Sequence, residues 1–203
     1  MEFMKRHAFK IAVLALCALM GIYLLSTMNL GGEPLKKMGP APAYEMQDVE
    51  GNTVSLDSTN GKVRLYYFYF SYCPDVCPPT TAQLAKVQEA MKKDGGFGDQ
   101  FLIQQITIDP NRDTPERIKD YASKFEADFA GWKFLRGEEA ATHALAKEYG
   151  VTVIKADEQT FSHTNYFILV DQQGEVRRYI KADEETDLDQ VVKDIKRLIK
   201  EQE

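Results

Sequence analysis

The chain is poor in cysteine, histidine and tryptophan, with three, three and one of them among 203 residues. Three cysteines are too few to build a disulfide scaffold, and an odd number means that at least one serves differently from the others. An excess of positive charge is missing as well. Twenty-five Lys and Arg against 31 Asp and Glu leave a net charge of -6, which argues against a general nucleic-acid binder, because phosphate contacts need concentrated basic residues. The chain also lacks internal repeats and low-complexity tracts, so solenoids and tail-like segments are not expected. Apolar residues at 44% and charged ones at 28% are those of a folded protein and exclude the disordered and collagenous classes. The length suits one globular domain with appendages.

The first of those appendages is an uncharged run. Residues 11–28, IAVLALCALMGIYLLSTM, hold 18 residues without a charge, and as a helix they reach about 27 Å, enough to cross a bilayer core. Lys5, Arg6 and Lys10 precede the run, which places the N-terminus in the cytoplasm and the rest of the chain outside, although Lys36 and Lys37 weaken that bias. A cleaved secretory signal is the main rival, but the run is long for one and no good small-x-small site follows. Cys17, in LALC, resembles a lipidation box in which Leu16 stands where a small residue belongs. The expected organisation is therefore a cytoplasmic start and transmembrane anchor over 1–28, a Gly- and Pro-rich linker over 29–43, and a soluble domain over 44–203. In an uncleaved anchor Cys17 has no chemistry. Residues 1–28 carry Glu2 against Lys5, Arg6 and Lys10, a net of +2, so of the total of -6 the remainder holds -8.

Within the soluble part, the alternation of patterns predicts an α/β sandwich with a mixed sheet. Residues 53–56 read as a short strand, and 63–70 (VRLYYFYF) as a strand buried on both faces, hence central. Helical spacing follows over 80–93, ended by Asp94-Gly95-Gly96, then a strand over 101–108. Thr114 and Pro115 start a helix as N-cap and first helical residue, running to about 125. A short strand over 132–135, a helix over 138–149 closed by Gly150, a hairpin of 166–170 with 176–179, and an amphipathic helix over 187–200 complete the chain.

Chemistry concentrates in Cys73-Pro74-Asp75-Val76-Cys77-Pro78-Pro79-Thr80, directly after the buried strand and directly before the first long helix. Ligands gather at the carboxyl ends of strands in open α/β sheets, and a helix N-terminus favours thiolate over thiol. Pro74 and Pro78 push Cys73 and Cys77 out of the α region, so the pair is expected in a fixed loop with the helix starting near 78 or 79. The two sulfurs can then form a disulfide or share a metal. A purely structural staple is one reading, although a bridge closing so short a loop restrains the unfolded chain little. A metal needs a further ligand, and the soluble part offers two histidines. His143, within the 138–149 helix, reads as a surface residue. His163 sits in a polar loop before the 166–170 strand, at an end of the sheet that the residues leave open. Two thiolates with one imidazole suit copper, and zinc usually takes a fourth ligand.

Cys73-Pro74-Asp75-Val76-Cys77-Pro78, Asp109-Pro110-Asn111-Arg112-Asp113-Thr114-Pro115 and Ser162-His163 ahead of an aromatic-aliphatic strand together resemble the Sco (SenC) family over residues 43–199. The resemblance implies a membrane-tethered, thioredoxin-like copper protein that helps to assemble the dinuclear copper centre of cytochrome c oxidase subunit II. It implies further that Cys73 and Cys77 are redox-active copper ligands, that His163 is the third ligand, and that Asp109 lies near the metal. For Asp109 an Asx turn before Pro110 is the equal alternative. Asp75 reads as a local turn or cap residue. Tyr72 and Pro79-Thr80 depart from what the family leads one to expect, and as non-ligands they bear on the polarity of the pocket.

Two functions follow. One is a copper metallochaperone holding one Cu(I) or Cu(II) through Cys73, Cys77 and His163. The other is a thiol-disulfide oxidoreductase in which the same pair reduces the partner's cysteines. A copper donor or a thiol reductant is then a further partner, and the expected location is the outer face of a bacterial cell membrane. A peroxiredoxin is excluded by Phe70, which stands where that motif has Thr. Three residues between the cysteines, where a thioredoxin-type reductase has two, suit a metal.

Overall fold

The computed structural model describes residues 2–27, 34–155, 157 and 160–201. The chain divides into two compact units, residues 1–34 and residues 35–203. The described residues of the first include the helix α1 (Glu2–Thr27), whose described apolar side chains, Phe9, Leu14 and Leu19 among them, are exposed. Among the described residues no helix is long and apolar enough to cross a membrane. The anchor expected over 1–28 is thus not supported by the described residues alone, and residues 1 and 28 lie outside them.

The second unit is a mixed sheet flanked by helices. Its strands are β1 (Gly39–Pro40), β2 (Glu45–Asp48), β3 (Thr53–Ser55), β4 (Val63–Tyr69), β5 (Phe101–Thr107), β6 (Trp132–Arg136), β7 (Val153–Lys155), β8 (Phe161–His163), β9 (Tyr166–Val170) and β10 (Glu175–Lys181). Helices α2 (Cys77–Lys93), α3 (Pro115–Ser123), α4 (Glu139–Glu148) and α5 (Leu188–Lys200) lie between and after them. Eight strands form one sheet in the order β1-β10-β9-β4-β5-β6-β2-β3, and β7 pairs with β8 separately. β4, β5 and β6 are parallel, while β9 runs antiparallel to β4. A parallel pair needs a crossover, and α2 supplies it between β4 and β5.

β4 is buried along its whole length, as its unalternated apolar run requires. Tyr66 and Phe68 pack against Tyr149 on one face, with ring centroids 5.1 and 5.9 Å apart. Tyr67 and Tyr69 project to the other face, against Phe167 at 5.7 Å and Tyr121 at 5.4 Å. Arg64 is the one charge on this strand, and burying it is tolerable only if its donors are met. Thr59 Oγ1, Leu56 O and Asn60 Oδ1 accept from it at 3.1, 3.0 and 2.7 Å, and so does Asp171 O.

Three local features differ from the sequence pattern. Gly39–Pro40, placed in the linker by composition, pairs with β10 as an edge strand, a position where a proline without an N–H costs no ladder bond. β2 stands where the sequence showed only a globular start at about residue 44. The polar loop of residues 160–165 contains a strand, so His163 ends β8 and pairs with Val153 of β7.

Candidate metal and redox site

The site forms where β4 ends and α2 begins. β4 delivers the chain into a turn in which Cys73 N–H donates to Phe70 O at 3.2 Å. α2 starts at Cys77, earlier than expected, with Pro78 and Pro79 in its first turn, where their missing N–H groups would have had no helical partner anyway. Val76 makes no side-chain cap at this start. Cys73 Sγ takes over that role by accepting from the Cys77 N–H at 3.4 Å, as a capping side chain does.

His163 reaches the same place from β8. Its Nε2 lies 3.7 Å from Cys77 Sγ, and its Nδ1 lies 3.1 Å from Thr164 O. A carbonyl oxygen only accepts, so Nδ1 carries the hydrogen and the Nε2 lone pair faces the thiol. Metal-binding histidines are commonly held in this way, the second ring nitrogen donating to the backbone. Burial holds the His163 pKa below its ordinary value, with the bond to Thr164 O opposing that shift. Phe70 and Tyr67 enclose the ring, each with a centroid 6.4 Å from it.

The two cysteines, both unbridged, titrate in opposite directions. The hydrogen bond from the Cys77 thiol, with backbone N–H groups of residues 75–77 behind it, lowers the Cys73 pKa to about 6 against an opposing desolvation. The Cys77 pKa is raised, first by that same hydrogen bond and then by burial. Cys77 is fully buried and Cys73 is 8% exposed. The surroundings thus favour the thiolate at Cys73 and the thiol at Cys77, which lies between Cys73 and His163.

The sequence-predicted residues thus meet in part. Cys73, Cys77 and His163 form one contact chain, and Asp109 pairs with Arg112, whose Nε donates to its carboxylate. Asp109 is 2% exposed, and burial raises its pKa while Arg112 opposes the rise. The Arg112 guanidinium lies 5.0 Å from the Tyr72 ring centre and 5.8 Å from that of Phe161, so Asp109 supports the wall of the site through Arg112. Among the described residues no group of three or more His, Cys, Asp or Glu is already arranged to hold a metal ion. His143 is half-buried, with Nε2 2.7 Å from Ile108 O and its ring 5.9 Å from Phe161, and is not the surface residue its helix suggested.

Asp113, Arg117 and Ser71 were missed. Asp113 is fully buried and accepts from Ser71 N at 3.0 Å, from Ser71 Oγ and from Thr107 Oγ1. Arg117 donates to Ser71 Oγ and Ser71 O at 2.9 and 3.0 Å and covers the Tyr72 ring at 4.3 Å. These contacts tie the cysteine turn to the start of α3. The available signal was Asp113 ahead of the Thr114 cap, which spacing alone assigns to the helix start.

A mixed thioredoxin-like sheet with paired thiols at the start of its crossover helix, and an imidazole delivered to them by a hairpin, defines a dithiol-imidazole protein. The chain belongs to the SCO1/SenC family, whose pattern matches residues 34–200. It is similar to a SCO1/SenC family lipoprotein from Bacillus anthracis strain Ames, at 27% identity over 82% of this chain and 99% of that one, with a TM-score of 0.76. It is similar also to BsSco, a member of the Sco family of cytochrome c oxidase assembly proteins in which a disulfide switch has been identified, at 27% identity, 82% and 98% coverage and a TM-score of 0.73. The structure of Bradyrhizobium japonicum ScoI with copper bound matches at 29% identity, 78% and 99% coverage and a TM-score of 0.66.

Proposed function

We propose that this chain is a copper metallochaperone that takes one copper ion as cargo through Cys73, Cys77 and His163 and passes it to the dinuclear centre of cytochrome c oxidase subunit II. The observation that carries the reading is the 3.7 Å approach of an unprotonated His163 Nε2 to Cys77 Sγ, with Nδ1 held by Thr164 O. Two sulfurs and one imidazole are a soft donor set that suits copper. Loading requires both thiols to lose their protons. Cys73 is the more readily ionised of the two, so the proton that resists loading is that of Cys77. Copper in the B. japonicum relative and oxidase assembly for BsSco support the choice of cargo and recipient. Asp109, through Arg112, acts as a support for the wall of the site.

Membrane attachment through residues 1–28, with the domain on the extracytoplasmic face, is supported by the uncharged run and by the lipoprotein relative. Retention in alkali-washed membranes with an unmodified Cys17 mass supports a spanning anchor, whereas a lipid-sized mass increase at Cys17 rules for lipidation.

The copper reading is tested by titrating the reduced protein and following the sulfur-to-copper charge-transfer band. A stoichiometry of one and a loss of at least about tenfold in affinity for His163→Ala are expected. Absence of stoichiometric binding, or an unchanged spectrum and affinity in the variant, defeats it.

The depressed Cys73 pKa favours a second activity at the same site. Cys73 thiolate attacks a partner disulfide, forming a mixed disulfide and releasing one partner thiolate. Cys77, once deprotonated, attacks Cys73 Sγ, closing the intramolecular disulfide and releasing the second. The partner gains two electrons and this pair loses two. A Cys73–Cys77 reduction potential below about -300 mV would indicate an inert staple, incompatible with cycling between the two states.

A further inference from the structure

Beside the cysteine-histidine cluster, the first turn of α2 and the facing ends of β9 and β10 leave a groove of about 460 Å³. Val76, Pro79, Tyr166 and Ala182 line it with apolar surface, and Val76 is 41% exposed. The groove adjoins both sides of the site: Val76 precedes Cys77, and Thr164, also in the lining, follows His163. Whatever occupies it lies against the neighbours of two proposed ligands.

The polar part of the lining is one-sided. Asp75, Asp183 and Glu184 share the lining with Lys181, and Lys181 is paired with Asp183 at 2.9 Å. Among the described residues neither Asp75, just before α2, nor Glu184, after β10, is paired in this way, so both carboxylates add negative charge to the groove. Gln83 and Asn165 spend their amide hydrogens inside the protein. Gln83 donates to Asp183 O at 2.6 Å, and Asn165 donates to Thr80 Oγ1 at 3.0 Å and to Ala182 O. Their side-chain oxygens have no hydrogen-bond partner among the described residues. The carboxylates of Asp75, Asp183 and Glu184 outnumber the one ammonium, that of Lys181, in the lining, so the groove is net negative.

Charge decides among the occupants. A second copy of this chain brings an acidic domain, since residues 29–203 carry -8 of the total of -6 once the +2 of residues 1–28 is set apart. An anionic lipid surface is repelled for the same reason. A donor-rich cationic chain is attracted, and an apolar side chain on it fills the floor. We propose that this groove docks an extended segment of the partner protein in which Lys or Arg residues flank an apolar side chain, holding the partner's receiving groups beside Cys77 and His163. The inference deepens the copper-transfer reading and rests on it for the identity of what is transferred.

The test uses the full chain in phosphatidylcholine nanodiscs and two probes, acetyl-KRLYKR-amide and its charge-reversed counterpart acetyl-EELYEE-amide. The cationic peptide is expected to shift the amide resonances of Val76, Thr80, Gln83, Thr164, Tyr166 and Glu184, and to bind more weakly as salt rises from about 50 to about 300 mM. Asp75→Lys combined with Glu184→Lys is expected to weaken it by about tenfold or more. Equal binding of both peptides, shifts confined to another face, or an affinity unchanged in the double variant overturns the proposal. So does a change of oligomeric state in Glu184→Lys, which would make a second copy the occupant. The copper band of Glu184→Lys is expected to equal that of wild type. A wild type that binds the peptide in the groove but binds no copper defeats the copper reading and leaves the docking surface standing.

Discussion

Cys73 and Cys77 carry the same thiol four residues apart, and their surroundings drive them in opposite directions. The Cys77 hydrogen bond and the backbone N–H groups of residues 75–77 all favour a thiolate at Cys73, whereas the hydrogen bond to Cys73, and after it burial, favour the thiol at Cys77. The thiolate form is the nucleophile. In the reduced protein, iodoacetamide modification of Cys73 is therefore expected to rise through a midpoint near pH 6 and to level off by about pH 7, while Cys77 stays unmodified until the protein unfolds. Mass spectrometry of peptides quenched across pH 5 to 9 reads both rates, and a Cys73 midpoint near that of an ordinary thiol contradicts the assignment. The same asymmetry has a stability counterpart. A folded-state pKa below the unfolded one adds stability that is present above the unfolded value and is lost as pH falls through the folded value. The Cys73 contribution therefore fades as pH drops from about 9 to about 6. Cys77 acts in the opposite sense, adding stability below its unfolded pKa and losing it as pH rises.

Among the elements, α3 and the β7–β8 hairpin determine whether the site has its shape. Asp113 at the entry to α3 accepts three hydrogen bonds in full burial. Asp113→Ala leaves the Ser71 N–H and the Ser71 and Thr107 hydroxyls without that acceptor, at roughly 1–3 kcal/mol for each group that finds no other partner. A loss of about 2–4 kcal/mol in urea unfolding is expected, with weaker copper binding because the turn before Cys73 is freed. A variant as stable as wild type shows that Asp113 does not hold the turn. Much of this scale was legible in the sequence. Thr114 caps α3, accepting from Arg117 N at 3.3 Å, and Asp187 caps α5, accepting from Gln190 N at 2.9 Å, so short-range side-chain-to-backbone bonds wrote those helix starts. β7 and β8 were not legible from a period of two, which three residues are too few to show, whereas β3, equally short, follows the turn residues Glu50-Gly51-Asn52 that mark its start. The start of α2 was misplaced because proline bias on the preceding residue disfavours helix at Cys77, and the cap that allows it, a thiol four residues upstream, belongs to no sequence rule. Resemblance named His163 as a ligand, but only the hairpin brings it to Cys77.

On the scale of the whole domain, the sheet is built around phenols. Tyr44, Tyr66, Tyr67 and Tyr69 have pKa values raised well above the ordinary range, with burial as the largest cause in each. Burial is also the largest cause of the rise for Tyr121 and Tyr149. A group whose pKa is raised on folding gives stability that is complete below the unfolded pKa, about 10 for tyrosine, and is lost as pH rises above it. If the six stay protonated while folded, they withdraw about 8 kcal/mol by pH 11, comparable to the whole stability of a typical domain. The domain is therefore expected to unfold cooperatively near pH 11 to 12, with tyrosinate absorbance and loss of circular dichroism rising together. The Tyr69 hydroxyl has no hydrogen-bond partner among the described residues, so Tyr69→Phe removes one titrating phenol without breaking a bond. Its neutral-pH stability should equal or exceed that of wild type, and its alkaline midpoint should move up by about 0.2–0.3 pH unit. An alkaline transition with the shallow slope of a single titrating group, or an unmoved midpoint in Tyr69→Phe, shows that the buried phenols do not set the alkaline limit of the fold.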